Sequence, residues 1–383
     1  MKESATVGTV LLCITEDWFA VSHFEPLVEV LAGVSERLVL LTRTDRYRQR
    51  LEALGAEVRH FDFHRTSLDP VKQARVVRRL AETIADLRPD VAHFVSLQTM
   101  VAGALATRLA RVPSIVYHLT GAGYLVTSGT LKGRILKPGV FVLLRRALAR
   151  PGALLFVENT DDAELLTGGA PLMMARVRII PGAGVNPQDF PLQPVTGNSR
   201  PVASYVGRML RSKGVGVLAE AARILEQSGT AIEIRLHGPT DDNPESIPEA
   251  ELMRWNGAAG MPVWLGRTND VPGVWRASDI CIMAPLVREG MPRAMLEAAA
   301  SARPLVVSDV PGCRHFVTHG ENGLIVPPGN PDALAGAIRR LVLDSDEARR
   351  LGLNARARLV EEYATDAVMR TIRGAYAGMD TSA

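Results

Sequence analysis

Four charged side chains in the second half of the chain stand at spacings that could do chemistry. Glu289 and Glu297 bracket the run E-G-M-P-R-A-M-L-E, and Arg208 and Lys213 sit inside Y-V-G-R-M-L-R-S-K-G, which begins at Tyr205. In the first run, Gly290 lets backbone approach a ligand and Pro292 fits the first position of a helix. Backbone N–H groups around Gly290 and Met291 could receive phosphate oxygens at that helix start. Carboxylates beside an anion site make sense if they bind hydroxyls, because a carboxylate accepts two hydrogen bonds from a sugar or ribose diol. In the second run a strand should end at Gly207 and a helix should begin after Gly214. Two cations between them could clamp a diphosphate. Plainer readings exist: a glycine-punctuated βα turn with exposed basic residues, an acidic residue favoured by the helix dipole, and a solvated Glu on the helix.

The elements that must position these groups are short apolar runs alternating with helical patterns. Strands are expected at 7–14, 37–41, 57–61, 91–95, 115–118, 154–157 and 177–180, with an amphipathic stretch at 24–31 and helices at 46–54 and 71–87. Residues 187–201 hold four prolines and no periodicity, and read as a linker. The alternation restarts with strands at 202–206, 232–236, 263–265, 280–283, 305–307 and 324–326, a helix at 215–227, and further helices from 331 onward. Strands alternating with helices imply βαβ units and parallel sheets. The expectation is two α/β domains in tandem, 1–190 and 200–363, with the C-terminal helix (364–383) packing back on the first. Ligands bind such sheets outside the carboxyl ends of the strands, so two such edges facing each other would make a cleft.

Composition narrows the function classes. The 383 residues are 47% hydrophobic and 22% charged with a formal net charge of +3, an ordinary globular balance too weakly basic to argue for nucleic acid. No apolar run reaches the ~18 residues of a membrane span; the best candidate, 138–157, is broken by Arg145, Arg146 and Arg150. Lys2 is not followed by a signal-peptide core. Cys13, Cys281 and Cys313 lack metal-ligand spacing and read as reduced packing residues of a cytoplasmic protein. Gly121-Ala122-Gly123 follows a strand without the third glycine of a dinucleotide fingerprint, and there is no P-loop and no Cys/His cluster. Between Asp90 and Glu158 the chain carries no acidic residue but has Arg108, Arg111, Lys132, Arg134, Lys137, Arg145, Arg146 and Arg150. Such a stretch attracts polyanions or an anionic membrane surface, or is a solvated face whose acidic partners come from elsewhere.

The chain resembles the retaining glycosyltransferases of family 4, which have the GT-B fold. Glu289 and Glu297 match that family's E-x7-E motif. The likeness continues through R-P-L-V-V-S-D-V-P-G from Arg303 and E-N-G-L-I-V-P-P-G from Glu321. In the first half, D-W-F-A-V-S-H from Asp17, H-L-T-G-A-G-Y from His118, N-T-D-D from Asn159 and P-G-A-G-V from Pro181 are similar to the branch that builds capsule, O-antigen and lipid-linked oligosaccharides.

The resemblance implies roles residue by residue. Arg208 and Lys213 would bind the diphosphate of a nucleotide-sugar and stabilise its departure. Glu297 would hold the ribose, and Glu289 the donor sugar. Gly290 and Met291 would line the donor site, with Gly238 and Arg267 near the base. His118 would lie near donor sugar and acceptor; by its type alone it reads as a core histidine. Asp17, Ser22 and His23, standing where many members have a glycine-rich first loop, are acceptor candidates together with Gly121. Asn159, Asp161 and Asp162 read better as a helix cap and its first-turn acids. The implied partners are a nucleotide-sugar, UDP-hexose or UDP-N-acetylhexosamine before GDP-mannose, a saccharide acceptor, free or carried on a polyprenyl diphosphate, and the inner membrane surface as a peripheral contact. No metal or other cofactor is expected. Leu286 and Ala183 stand where serines are common in the family. The alternatives are a nucleotide-sugar 2-epimerase on the same fold and a silent nucleotide-sugar-binding subunit. The E-G-x-P-x4-E segment argues against the first and the full set of charged residues against the second.

Overall fold

The structure is a computed structural model that describes residues 7–64, 69–121, 131–192 and 200–379, with the side chains of 131–136 also outside the description. The chain divides into two compact units. One runs to Ala183 and takes in the chain again from Thr365; the other spans Gly184–Ala364.

In the first unit seven parallel strands lie in the order β3-β2-β1-β4-β5-β6-β7. They are β1 (Val7–Glu16), β2 (Ser35–Arg43), β3 (Ala56–His60), β4 (Val91–Val95), β5 (Ser114–Leu119), β6 (Ala153–Val157) and β7 (Val177–Ile179). A parallel sheet covered on both faces needs apolar residues at both strand parities. β1 supplies them: Leu11 and Cys13 join one core layer, and Val10, Leu12 and Ile14 join the other. The second layer is roofed by the helices Asp17–Val34 and Thr365–Ala377. The latter buries Val368, Met369, Ile372, Ala375 and Tyr376, a three-and-four spacing that puts one helix face on the sheet.

The second unit repeats the plan with six parallel strands ordered β10-β9-β8-β11-β12-β13. These are β8 (Val202–Val206), β9 (Glu233–His237), β10 (Val263–Trp264), β11 (Ile280–Met283), β12 (Leu305–Ser308) and β13 (Leu324–Val326). In both sheets the order reverses beside the first strand of the unit, between β1 and β4 and between β8 and β11. Those are the topological switch points where α/β sheets bind ligands.

Three expectations are corrected. The first unit ends before residue 190, because Val185 and Phe190 are buried in the core of the second unit and Val185 N–H bonds the carbonyl of Tyr363. Part of the expected linker, 193–199, lies outside the described residues. No loop follows β1: the strand reaches Glu16 and the helix begins at Asp17. Pro292 caps the helix Arg293–Ala300 instead of opening it. In the described part of the acid-free stretch between Asp90 and Glu158, some of the side chains are tied into the first unit. On the helix Leu131–Leu148, Phe141 and Leu144 are buried in the core, while Val142 is exposed. Arg145 donates to the carbonyls of Leu165 and Leu166, and Arg150 to that of Thr107. Lys132, Arg134 and Leu136 lie outside the described side chains.

Candidate active site

In the second unit the candidate residues are held by loops stitched together at the switch point. After β8 the backbone N–H of Gly207 bonds the carbonyl of His237, and that of Gly238 bonds Gly266 at the end of β10 (2.9 and 2.7 Å). Gly238 has φ +144°, and a Cβ there would collide with the carbonyl of Gly207. The loop from β8 makes one 3-10 turn, Arg211–Lys213, and reverses at Gly214. With φ +76°, Gly214 packs so tightly on the end of β11 that a Cβ would strike the Ala284 carbonyl oxygen. One residue pair on, Leu286 N–H bonds the Ser212 carbonyl at 2.9 Å. The loops after β8 and β11 are thereby fixed against each other.

This brings Lys213 and Glu289, 76 positions apart, into contact: Lys213 Nζ lies 2.6 Å from Glu289 Oε1, with 23% and 17% of the side chains exposed. An ammonium has three N–H donors. One held by Glu289 leaves others for a phosphate oxygen, while the contact aims the carboxylate. Arg208 is half-exposed and pairs with Asp241 at 2.9 Å. Its carbonyl accepts from the buried Tyr205 hydroxyl at 2.9 Å. Burial raises the Tyr205 phenol above its ordinary pKa, with Glu289 adding in the same direction, so it stays a donor.

Glu297 lies in the second turn of the helix Arg293–Ala300. It is buried, and Arg293 Nε donates to it at 2.8 Å. Burial holds its carboxyl above the usual range, against the opposing pull of Arg293. A desolvated carboxylate that keeps unused lone pairs is suited to a hydroxyl donor. Gly290 is buried and Met291 sends its side chain into the core, so any ligand contact from Met291 is through its backbone. Arg267 is exposed beyond β10. His237, beside Gly238, is driven down to about 4 by burial and then by Arg235.

In the first unit the candidates meet different surroundings. His118, on β5, is 2% exposed, and burial drives its pKa down to about 3. Its Nδ1 is 3.2 Å from Nε2 of His93 on β4. Phe24 and Phe156 stand edge-on to its ring, with centroids 5.6 Å away in each case. Gly121, two residues past β5, has φ +120°; Ala122, Gly123 and Tyr124 of the same motif lie outside the described residues. Asp17, an acceptor candidate, is fully buried, and its Oδ2 accepts from the backbone N–H groups of Asp45, Arg46 and Tyr47 at 2.7, 3.0 and 3.0 Å. It anchors the turn after β2. Ser22 and His23 lie on the helix Asp17–Val34, with Ser22 Oγ 2.7 Å from His23 Nδ1, and both are partly exposed. Asn159 caps the helix Thr160–Thr167 by accepting from Asp162 N–H. Cys13, Cys281 and Cys313 are buried thiols held protonated by desolvation. Among the described residues no group of three His, Cys, Asp or Glu side chains gathers as a metal site, and no helix is long and apolar enough to cross a membrane.

Sequence reasoning missed His93, Tyr376 and Asp241. His93 carried a signal: in V-A-H-F-V it shares parity with Val91 and Val95, so a polar ring was due to enter the core. Asp241 carried none, since it reaches Arg208 from the loop after β9.

Known proteins agree with this architecture. Residues 200–344 match the family described as glycosyl transferases group 1, and residues 21–183 match the glycosyl transferase 4-like domain. The chain is 25% identical over 347 residues to the N,N'-diacetylbacillosaminyl-diphospho-undecaprenol alpha-1,3-N-acetylgalactosaminyltransferase of Campylobacter jejuni, covering 87% of this chain and 89% of that one. It is 25% identical over 315 residues to the UDP-Gal:alpha-D-GlcNAc-diphosphoundecaprenol alpha-1,3-galactosyltransferase of Escherichia coli, covering 76% of each. Anabaena HepE, crystallised with UDP and glucose, superposes with a TM-score of 0.75 at 18% identity, covering 97% of this chain and 99% of that one, which speaks to the fold. These matches lend the epimerase reading no support. With both halves matched and the motif residues held at the second switch point, the chain belongs to the group 1, 4-like glycosyltransferases of GT-B fold.

Proposed function

We propose that this glycosyltransferase moves a hexose or N-acetylhexosamine from a UDP-sugar to a saccharide carried on a polyprenyl diphosphate, with retention of anomeric configuration and without a metal ion. The Lys213–Glu289 contact carries the reading: a cation suited to phosphate lies beside a carboxylate suited to sugar hydroxyls, at a switch point of the sheet. The acceptor oxygen bonds the anomeric carbon as the bond from that carbon to the diphosphate oxygen breaks. The acceptor's proton passes to the departing diphosphate, which leaves as the nucleoside diphosphate. Arg208 and Lys213 stabilise the charge that builds there. Glu297 holds the ribose diol, Glu289 the donor-sugar hydroxyls, Gly290 and Met291 give backbone N–H groups, and Gly238 and Arg267 border the base. His118, Ser22, His23 and Gly121 serve the sugar and acceptor side. The acceptors named for the Campylobacter jejuni and Escherichia coli enzymes are diphospho-undecaprenol lipids, which supports a lipid-linked acceptor here and a peripheral position on the membrane face.

The test is incubation of the full chain with UDP-sugars and GDP-mannose, with and without an undecaprenyl-diphosphate saccharide, reading product and anomer by NMR. A lipid-linked α-product from a UDP-sugar, undiminished by EDTA, is expected. An inverted product, or activity lost to EDTA and restored by Mg²⁺, contradicts the retaining or the metal-free mechanism respectively. Turnover with GDP-mannose alone contradicts the UDP reading. Liposome co-sedimentation with anionic lipid checks the membrane position.

A further inference from the structure

Behind His118 lies a polar chain that no motif announces. Tyr376, from the helix Thr365–Ala377, places its hydroxyl 2.7 Å from Nδ1 of His93, and Nε2 of His93 is 3.2 Å from Nδ1 of His118. Register explains the geometry. Val116 pairs with His93 and His118 with Val95, so the two histidines are diagonal neighbours on one face of the sheet. The C-terminal helix covers that same face. Tyr376, His93 and His118 are 1%, 0% and 2% exposed, and Phe156 stands edge-on to all three rings.

Proton accounting gives the chain a direction. Among the described residues the Tyr376 hydroxyl has one hydrogen-bond partner, His93 Nδ1. A buried O–H that does not donate is costly, so the hydroxyl proton points at Nδ1, which must be bare. Burial lowers both histidines far below their ordinary pKa, so each ring is neutral and carries one proton. His93 therefore holds its proton on Nε2 and donates it to Nδ1 of His118. His118 in turn carries its proton on Nε2, which makes no hydrogen bond to the described residues.

We propose that Tyr376 and His93 are positioning residues that hold His118 as the Nε2–H tautomer, so that the nitrogen left to substrate is a hydrogen-bond donor to a sugar or acceptor oxygen and not a base. The proposal rests on the functional reading above for the identity of the oxygen, but not for the tautomer. It makes the helix Thr365–Ala377 part of the first unit's active-site machinery.

The test has a spectroscopic arm and a kinetic arm, both on the full chain. With ¹⁵N-histidine labelling, and H93Q and H118Q used for assignment, the proton of His118 is expected on Nε2 and that of His93 on Nε2. A His118 found protonated on Nδ1 overturns the proposal whatever the enzyme transfers. Y376F removes the donor that sets the direction and should leave His118 as a mixture of tautomers. It should lower kcat about tenfold while donor KM stays within about twofold. H93Q is the conservative rescue, because its amide oxygen can accept from Tyr376 and its amide N–H can donate to His118. It should preserve the tautomer and turn over faster than H93L. In an H118A background Y376F should add no further loss. An equal loss in both backgrounds reduces Tyr376 to packing and ends the proposal. An absence of any sugar transfer alongside an Nε2–H His118 would sink the functional reading and leave the tautomer standing.

Discussion

The two units share one strand order but place their chemistry in opposite ways. In the second unit the charged groups stand on loops beyond the strand ends and are aimed by ion pairs: Lys213 on Glu289, Arg208 on Asp241, Arg293 on Glu297. In the first, the comparable polar groups are pulled into the sheet face and held neutral: His93, His118 and Tyr376 among Phe24 and Phe156. A site that receives a diphosphate needs cations with donors to spare near solvent. A site that orients hydroxyls at a reacting carbon is better served by fixed neutral dipoles, which cost little to keep dry.

That contrast can be broken first at Gly214. Gly214→Ala adds a Cβ at a left-handed residue against the Ala284 carbonyl, and should cost at least about 3 kcal/mol in urea unfolding, with loss of UDP binding. A variant as stable as wild type would mean that the two loops are not locked together. Glu289→Ala should lower kcat by about 100-fold while UDP binding persists. Wild-type turnover removes Glu289 from the mechanism.

The first unit should betray its neutral histidines through acid. The folded pKa of His118, about 3, lies below its ordinary value of 6.5, so the unfolded state takes up the proton first. Its contribution to stability is complete above pH 6.5 and is lost as pH falls toward about 3. Between pH 7 and pH 5 the loss should be about 2 kcal/mol, and H118Q should flatten the curve by that amount. His93 acts in the same direction. A protein equally stable at both pH values would contradict the burial that keeps these rings neutral. The smallest effect expected is at the clamp: Arg208→Ala and Lys213→Ala should each weaken UDP binding about tenfold in calorimetry. Arg208, half-exposed, should show the greater sensitivity to salt.

Much of the fold was legible because apolar runs and glycine punctuation are local. The strands predicted at 91–95, 202–206, 280–283 and 324–326 coincide with β4, β8, β11 and β13. The helix at Asp17–Val34 was underread because its first turns carry Trp18, Ser22 and His23, which blur the amphipathic stripe beginning at Phe24. Asp17 has a structural role that the sequence did not show: its Oδ2 holds the backbone N–H groups of 45–47, nearly thirty positions on.

The sequence by itself determined the two α/β halves and marked Arg208, Lys213, Glu289 and Glu297 as candidates, because helix starts, strand ends and motif spacing are written within a few neighbouring positions, whereas His118 entered only through the family resemblance. Tertiary structure alone decided that Lys213 meets Glu289 across 76 positions, that Arg208 meets Asp241, and that Tyr376 reaches His93 across 283. Those contacts depend on strand order and on which helix roofs which face. Periodicity cannot encode such pairings, since any apolar face could have covered the sheet, and only the packed chain selects the one that carries Tyr376.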